Sequence, residues 1–269
     1  MRYQLDAPIL SHQQVGDCEY ELTARSREIA CEARPGQFLQ IRYDDTLNPY
    51  SRRPFSVFRV DLERETFSIV YLARGAFTQG LRGKRPGDKL SVVGPLGNSF
   101  SVAEETGGRH VLVAGGVGAP PMYLLAWDMA RRGFPLHHVT IINGARTRGL
   151  LVALHEMEAL GVDLRVTTDD GSVGRHGLVT DELAAVLAGR EPMRVYACGP
   201  TAMLRAVGDE CVRRGVSCQV SVETVMPCGV GVCMGCVVKI RDASSPSGFA
   251  YQRSCQDGPV FEAAEVIWE

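Results

Sequence analysis

Four cysteines near the C-terminal end follow one tight pattern: Cys228-Gly-Val-Gly-Val-Cys233-Met-Gly-Cys236, then Cys255 after a gap. This C-x4-C-x2-C spacing with a distant fourth thiol is the plant-type [2Fe–2S] arrangement. Two irons and two sulfides need thiolates arriving from several directions. A short loop wraps three of them, and a later strand returns the fourth. Gly229, Gly231 and Gly235 lie between the thiols, where the absence of a Cβ lets the backbone curl and bring its N–H groups close. A zinc site usually shows paired C-x2-C knuckles or Cys/His mixtures, and no histidine follows His176. A disulfide framework fits poorly with an odd total of nine cysteines in 269 residues. The metal ligands expected are Cys228, Cys233, Cys236 and Cys255. Cys18, Cys31, Cys198, Cys211 and Cys218 are scattered singly, and most read as small buried apolar residues.

A chain of 269 residues suits about two domains. A net charge of −2 implies no field for nucleic acid or an anionic membrane, and no stretch reaches the length of a membrane span. The segment Met1–Asp6 lacks the basic-then-apolar layout of a secretory signal, so a reducing cytoplasm is expected.

Residues 1–102 read as a small antiparallel β-barrel, with short β-branched and aromatic runs at 38–43, 55–60, 67–72 and 89–93 between Gly/Pro turns. Composition shifts at Thr106-Gly-Gly-Arg109. Residues 107–221 then alternate apolar strand and amphipathic helix, the pattern of a parallel sheet covered on both faces. Residues 222–269 form the cysteine-loop subdomain.

Three segments can carry chemistry. Arg53-Pro-Phe-Ser56 opens a strand; its guanidinium can pair with a pyrophosphate and its hydroxyl with the polar edge of a flavin, or both can be ordinary surface groups. Val70-Tyr-Leu-Ala-Arg-Gly75-Ala-Phe-Thr78 ends in a turn that suits a diphosphate, or simply a helix capped by Thr78. Ala114-Gly-Gly-Val-Gly-Ala-Pro-Pro-Met122 runs from a strand into a helix, where a dinucleotide pyrophosphate meets a helix N-terminus, although it is not G-x-G-x-x-G. Gly115, Gly116 and Gly118 are its candidate contacts. Cys198-Gly199-Pro200 follows a later strand and can shape the floor beside a nicotinamide; as a nucleophile Cys198 has no base placed for it. Arg146 and Arg148 can read a 2′-phosphate or be surface charge, so NAD and NADP both stand.

In this order the motifs resemble the ferredoxin–NADP reductase superfamily. With the cysteine tail, the chain resembles its branch that serves as the FAD/iron–sulfur electron-transfer subunit of two-subunit dihydroorotate dehydrogenases. The resemblance implies that Arg53, Pro54, Phe55 and Ser56 contact FAD, that Val70, Tyr71 and Leu72 line the flavin, and that Gly75, Phe77 and Thr78 hold its phosphates. It implies a [2Fe–2S] cluster on the four cysteines and NAD as co-substrate, with no general acid or base of the chain's own. The implied partner is an FMN-containing dihydroorotate dehydrogenase catalytic subunit, in a heterotetramer of two plus two. Where the family often carries Gly-Lys-Gly-Thr, this chain has Gly75-Ala-Phe-Thr78, and a polar turn at 242–248 lengthens the stretch before Cys255. Related subunits of sulfide dehydrogenase, hydrogenase or ferredoxin:NADP+ assemblies resemble the same regions. A non-catalytic redox-sensing module is the alternative of another class.

Overall fold

The computed structural model describes residues 2–43, 50–102, 108–189 and 191–268. Thr106 and Gly107, where the composition shifts, lie outside them, as do Met1 and Glu269. The first sheet has seven antiparallel strands: β1 (Tyr3–Gln14), β2 (Glu19–Arg25), β3 (Phe38–Arg42), β4 (Arg53–Ser56), β5 (Arg59–Asp61), β6 (Thr66–Leu72) and β7 (Lys89–Leu96), in the order β4-β3-β7-β1-β2-β6-β5. It curls so that edge strand β4 faces β6 across the interior, with the Phe55 and Tyr71 rings 6.0 Å apart. Period-two alternation aims Leu22, Leu39, Ile41, Ile69 and Val92 into this core. Each such fully buried side chain stabilises by roughly 1.5–3 kcal/mol. Two short helices, α1 (Arg27–Glu32) and α2 (Ala76–Leu81), close the barrel ends. The run expected at 55–60 is broken at Val57–Phe58, which separates β4 from β5.

The second sheet is built from β8 (Arg109–Gly115), β9 (Val139–Ala145), β10 (Asp163–Thr168), β11 (Arg175–His176), β12 (Met193–Cys198) and β13 (Ser217–Ser221), all parallel. Helices α3 (Ala119–Arg131), α4 (Leu154–Ala159), α5 (Val179–Val186) and α6 (Thr201–Arg214) cover it, with one apolar core on each face. The order β10-β9-β8-β12-β13 reverses direction between β9 and β12, around β8. Ligands of such sheets bind beyond the carboxyl ends of the strands at that switch.

Beyond Ser221 the chain forms the cysteine loop and then a hairpin of β14 (Val237–Arg241) and β15 (Phe249–Arg253). A final strand, β16 (Val260–Glu262), adds antiparallel to β13 at the edge of the second sheet. The C-terminal segment is therefore sewn into the α/β sheet. It is also tied to the barrel: Asn98 Nδ2 donates to the Val260 carbonyl at 2.8 Å, and the Val260 N–H donates to Asn98 Oδ1 at 2.9 Å. No helix of the described residues is long and apolar enough to cross a membrane.

Candidate functional site

The hairpin register brings the outlying thiol back. Val237 pairs with Arg253, so Cys236 and Ser254 occupy the next rung, and the Ser254 N–H donates to the Cys236 carbonyl at 2.9 Å. Cys255 then lies against Cys236, and both are buried. Cys228 lies against Cys233 at the opposite end of the loop, with Cys233 exposed. Among the described residues no three His, Cys, Asp or Glu side chains converge on a point suited to one metal ion. The thiols come instead as two pairs, the layout that two irons with two thiolates each require.

The loop backbone points inward. Burial opposes ionisation of Cys228, but N–H groups of Cys233, Val230 and Val232, with the Cys233 thiol, pull its pKa down to about 6. Burial and the neighbouring Cys236 thiol push Cys255 up to about 12, against an N–H of Gly231 that favours its thiolate. An apposed pair of thiols resists double ionisation unless a cation sits between them. Gly229 has φ +71 and Gly231 φ +83, conformations that suit glycine. The Gly231 carbonyl accepts from Arg253, which is also paired with Asp257. Donor set and backbone fit a diiron cluster.

The second site is a cavity of about 260 Å³ where all three segments meet. Pro54 and Ser56 come from the barrel, Val117 and Cys198 from the α/β sheet, and Glu223 and Met226 from the approach to the cysteine loop. Strand β4 alternates, so Pro54 and Ser56 line this cavity while Phe55 enters the barrel core. Arg53 is exposed, with its guanidinium 5.6 Å above the Phe77 ring. Val70 belongs to the core shared with the α/β sheet and Leu72 lines the neighbouring cleft. Tyr71 turns the other way, and its buried hydroxyl meets His12 Nε2 at 2.9 Å. Burial pushes that hydroxyl far above the ordinary tyrosine value. Phe77 is buried against Tyr43 and Phe55, which explains how the turn holds a phenylalanine without obstructing the surface. Thr78 is not the helix N-cap that the turn suggested: α2 begins at Ala76 with Gly75 at the cap, and Thr78, in the first turn, reaches back so that its Oγ1 accepts the N–H groups of Arg74 and Gly75, both at 3.1 Å. A Cβ on Gly75 would meet nothing, which leaves room for a phosphate.

The third site is a cleft of about 550 Å³ along the carboxyl edge of the second sheet. Gly115, Gly116, Arg146, Asp169, Pro200 and Met203 contribute to it. The glycines have different tasks. A Cβ on Gly118 would collide with the Cys198 carbonyl and approach the Gly199 nitrogen to 2.7 Å, and one on Gly115 would lie 2.5 Å from Met203 Sδ. These two let α3 pack against the β12 turn. Gly116, at φ +53 with open space where a Cβ would stand, faces the cleft. Pro120 and Pro121 are buried in the first turn of α3. Burial pushes the Cys198 thiol up to about 12, which removes it as a nucleophile.

Acidic residues were not visible as site residues in the sequence. Glu19 and Asp169 line the cleft, and Glu223 lines both cavities. Glu223 is open to the cleft yet ringed by protein, and that desolvation raises its carboxyl. Each lies at a strand end or turn with no local motif, so only the three-dimensional edge of the sheet reveals them.

Two domain families match the chain: "iron-sulfur cluster binding domain of dihydroorotate dehydrogenase B" at residues 223–267 and "oxidoreductase NAD-binding domain" at residues 112–209. The dihydroorotate dehydrogenase B (NAD(+)) electron transfer subunit of Caldanaerobacter subterraneus subsp. tengcongensis is 38% identical over 100% of both chains. That of Geobacillus thermodenitrificans is 37% identical over 96% of both. Among solved structures, an NADH-dependent reduced ferredoxin–NADP oxidoreductase superposes with TM-score 0.84 at 32% identity, covering 97% of this chain and 90% of that one. An Amycolatopsis cytochrome P450 reductase shares the fold, with TM-score 0.68 at 22% identity over 79% of this chain and 66% of its own. The chain belongs to the family of dihydroorotate dehydrogenase B electron-transfer subunits.

Proposed function

We propose that this chain carries electrons between a partner flavoprotein that oxidises dihydroorotate to orotate and NAD+, using a [2Fe–2S] cluster and FAD. The observation that carries the reading is the cavity shared by Pro54, Ser56, Val117, Cys198 and Met226. A flavin ring held there would be bordered by the barrel, by the α/β domain and by Met226 on the approach to the cysteine loop. Phe38 and Met226, which line that cavity, also pack against Cys236 and Cys255. Bound FAD supplies exchange between single electrons and a hydride, which neither a nicotinamide nor a [2Fe–2S] centre can do alone.

The chain's own residues bind, orient and exclude water. Pro54 and Ser56 would border the flavin edge, Arg53 stands exposed beside them for the pyrophosphate, and the turn at Gly75, Phe77 and Thr78 would hold the phosphates, with open space at Gly75 and the N–H groups of Phe77 and Thr78 in the first turn of α2. Gly116 opens the N-terminus of the 13-residue helix α3 to a dinucleotide. Gly115, Gly118 and the Cys198-Gly199-Pro200 turn shape the floor. Cys228 with Cys233 would hold one iron, and Cys236 with Cys255 the other. The units proposed are residues 1–102 for FAD, 107–221 for NAD and 222–269 for the cluster.

The partner is proposed to be an FMN-containing catalytic subunit, in a two-plus-two heterotetramer in the cytoplasm. In the segment that carries half-buried Cys228 and exposed Cys233, Val225, Val232 and Met234 are 79%, 79% and 53% exposed, apolar surface suited to a docking protein. The ferredoxin–NADP oxidoreductase neighbour keeps a second donor in view. Anaerobic co-purification with the neighbouring gene product separates the two. The dihydroorotate reading requires about two irons and one FAD per chain, a rhombic EPR signal after dithionite, and orotate formation coupled to NAD+ reduction. A zinc-loaded, flavin-free preparation overturns it.

A further inference from the structure

Strand β3 is buried on both faces, and its outward face meets the cysteine loop. Leu39 and Ile41 point into the barrel core. Phe38 points outward and packs with Leu96, Met226, Cys236 and Cys255. Gln40, two residues on and so on the same side as Phe38, has 0% exposure. Its Nε2 donates to the Met226 carbonyl at 2.7 Å. Its side chain lies so close to Gly229 that a Cβ on that glycine would fall 2.6 Å from Nε2. Its Oε1 is buried with no hydrogen-bond partner among the described residues.

A core position gains nothing from such a group. An apolar side chain would fill the space without leaving a buried acceptor unpaired, which costs stability. The amide is better explained by what it grips. Met226 forms part of the flavin-cavity wall, and Cys228 follows two residues later. Pro54, on the same wall, is the register partner of Gln40 across β3 and β4. One strand pair thus carries both the wall and the grip on the loop.

We propose that Gln40 is a positioning residue for the cluster: by holding the Met226 carbonyl and seating Gly229, it sets the cysteine loop against the flavin-facing wall of the barrel. The inference rests on the reading of Cys228, Cys233, Cys236 and Cys255 as ligands.

The full-length chain tests it, with Gln40→Met and Gln40→Glu. In the apo protein, Gln40→Met removes one buried hydrogen bond. Amide hydrogen exchange in 227–236 should speed up by about tenfold, the factor that 1.4 kcal/mol represents, with exchange in β1 and β2 unchanged. In the loaded protein both variants should shift the g values of the cluster signal. Gln40→Glu keeps the shape but replaces the amide N–H that the Met226 carbonyl accepts with a carboxyl group, so the cluster potential should shift while the flavin potential holds. Gln40→Glu carries the test if Gln40→Met does not fold. Unaltered exchange, g values and potential overturn the proposal, as does exchange that speeds up uniformly across the barrel. A wild-type chain without a rhombic signal sinks the ligand reading instead, and the exchange measurement then still tests the grip on the loop.

Discussion

The Ser254 N–H donates to the Cys236 carbonyl at 2.9 Å, and through this bond the returning strand delivers Cys255 to the loop. The Ser254 side chain is anchored in turn by the Thr224 hydroxyl at 2.5 Å. The buried Cys236–Cys255 pair is therefore positioned by protein before any metal arrives. Cys255→Ser should abolish the rhombic EPR signal and lower dihydroorotate–NAD+ turnover at least about a hundredfold, the upper range seen when even outer-sphere support of a metal is lost. NADH oxidation by an artificial two-electron acceptor, which needs only the flavin and nicotinamide sites, should stay within about twofold. Iron analysis, EPR and the two assays check this.

The exposed apolar surface leads to a second expectation. Val232 has 79% of its surface in solvent and neighbours Cys233, so it sits where a docking protein would cover it. Val232→Glu would bury a charge in that interface, at a cost of several kcal/mol if unpaired. Affinity for the catalytic subunit should fall at least about a hundredfold, with cluster and FAD content unchanged. Isothermal titration between the two subunits reads the effect. Unchanged affinity would place the interface elsewhere.

Local pattern and long-range geometry divided the legibility of this chain. The cysteine loop was readable because its thiols are crowded into one segment with glycines between them. The helix α3 start was readable because Pro120 and Pro121 stand one residue after Gly118, in the first turn where their missing N–H groups cost nothing. The α/β alternation was readable because buried parallel strands are continuous apolar runs. Strand β1 gives a weaker signal: only Ala7 and Ile9 are buried among its twelve residues. Side-chain direction was not legible either. Tyr71 was expected to line a flavin and Phe77 to stand at its phosphates, yet both rings point into the barrel, and only pairing with Phe55 and Tyr43 reveals it. Gln40 and Glu223 were invisible because their meaning depends on residues far away in sequence.

The glycines that open α3 should separate stability from binding. Gly118→Ala places a methyl against the Cys198 carbonyl, which is backbone and cannot swing aside. Overpacking of this kind costs about 1–3 kcal/mol, visible as a lower denaturation midpoint. Gly116→Ala meets no atom, so its packing cost is small and its φ of +53 contributes only about 1–2 kcal/mol. Its methyl instead projects into the cleft. The KM for NADH should rise severalfold in Gly116→Ala with little change in flavin content, whereas Gly118→Ala should act mainly on stability. Equal effects of both on KM would contradict this division.

His110 gives the pH dependence of folding a direction. The ring is 2% exposed, stacked on Tyr196 with centroids 5.9 Å apart, and its Nδ1 lies 3.3 Å from the Tyr196 hydroxyl. Burial, with the positive charge of Arg194, lowers its pKa below the ordinary histidine value. Above about pH 6.5 the ring is neutral in both folded and unfolded chains and the shift contributes no pH dependence. Below that, the unfolded chain binds a proton that the core refuses, so stability falls until the pH reaches the depressed folded value. The denaturation midpoint of the wild type should therefore decline as the pH falls below about 6.5. His110→Phe keeps a ring against Tyr196 and Phe134, removes the titrating group, and should flatten that part of the profile even if its stability at pH 8 is lower. An unchanged slope in His110→Phe would assign the acid sensitivity to other groups.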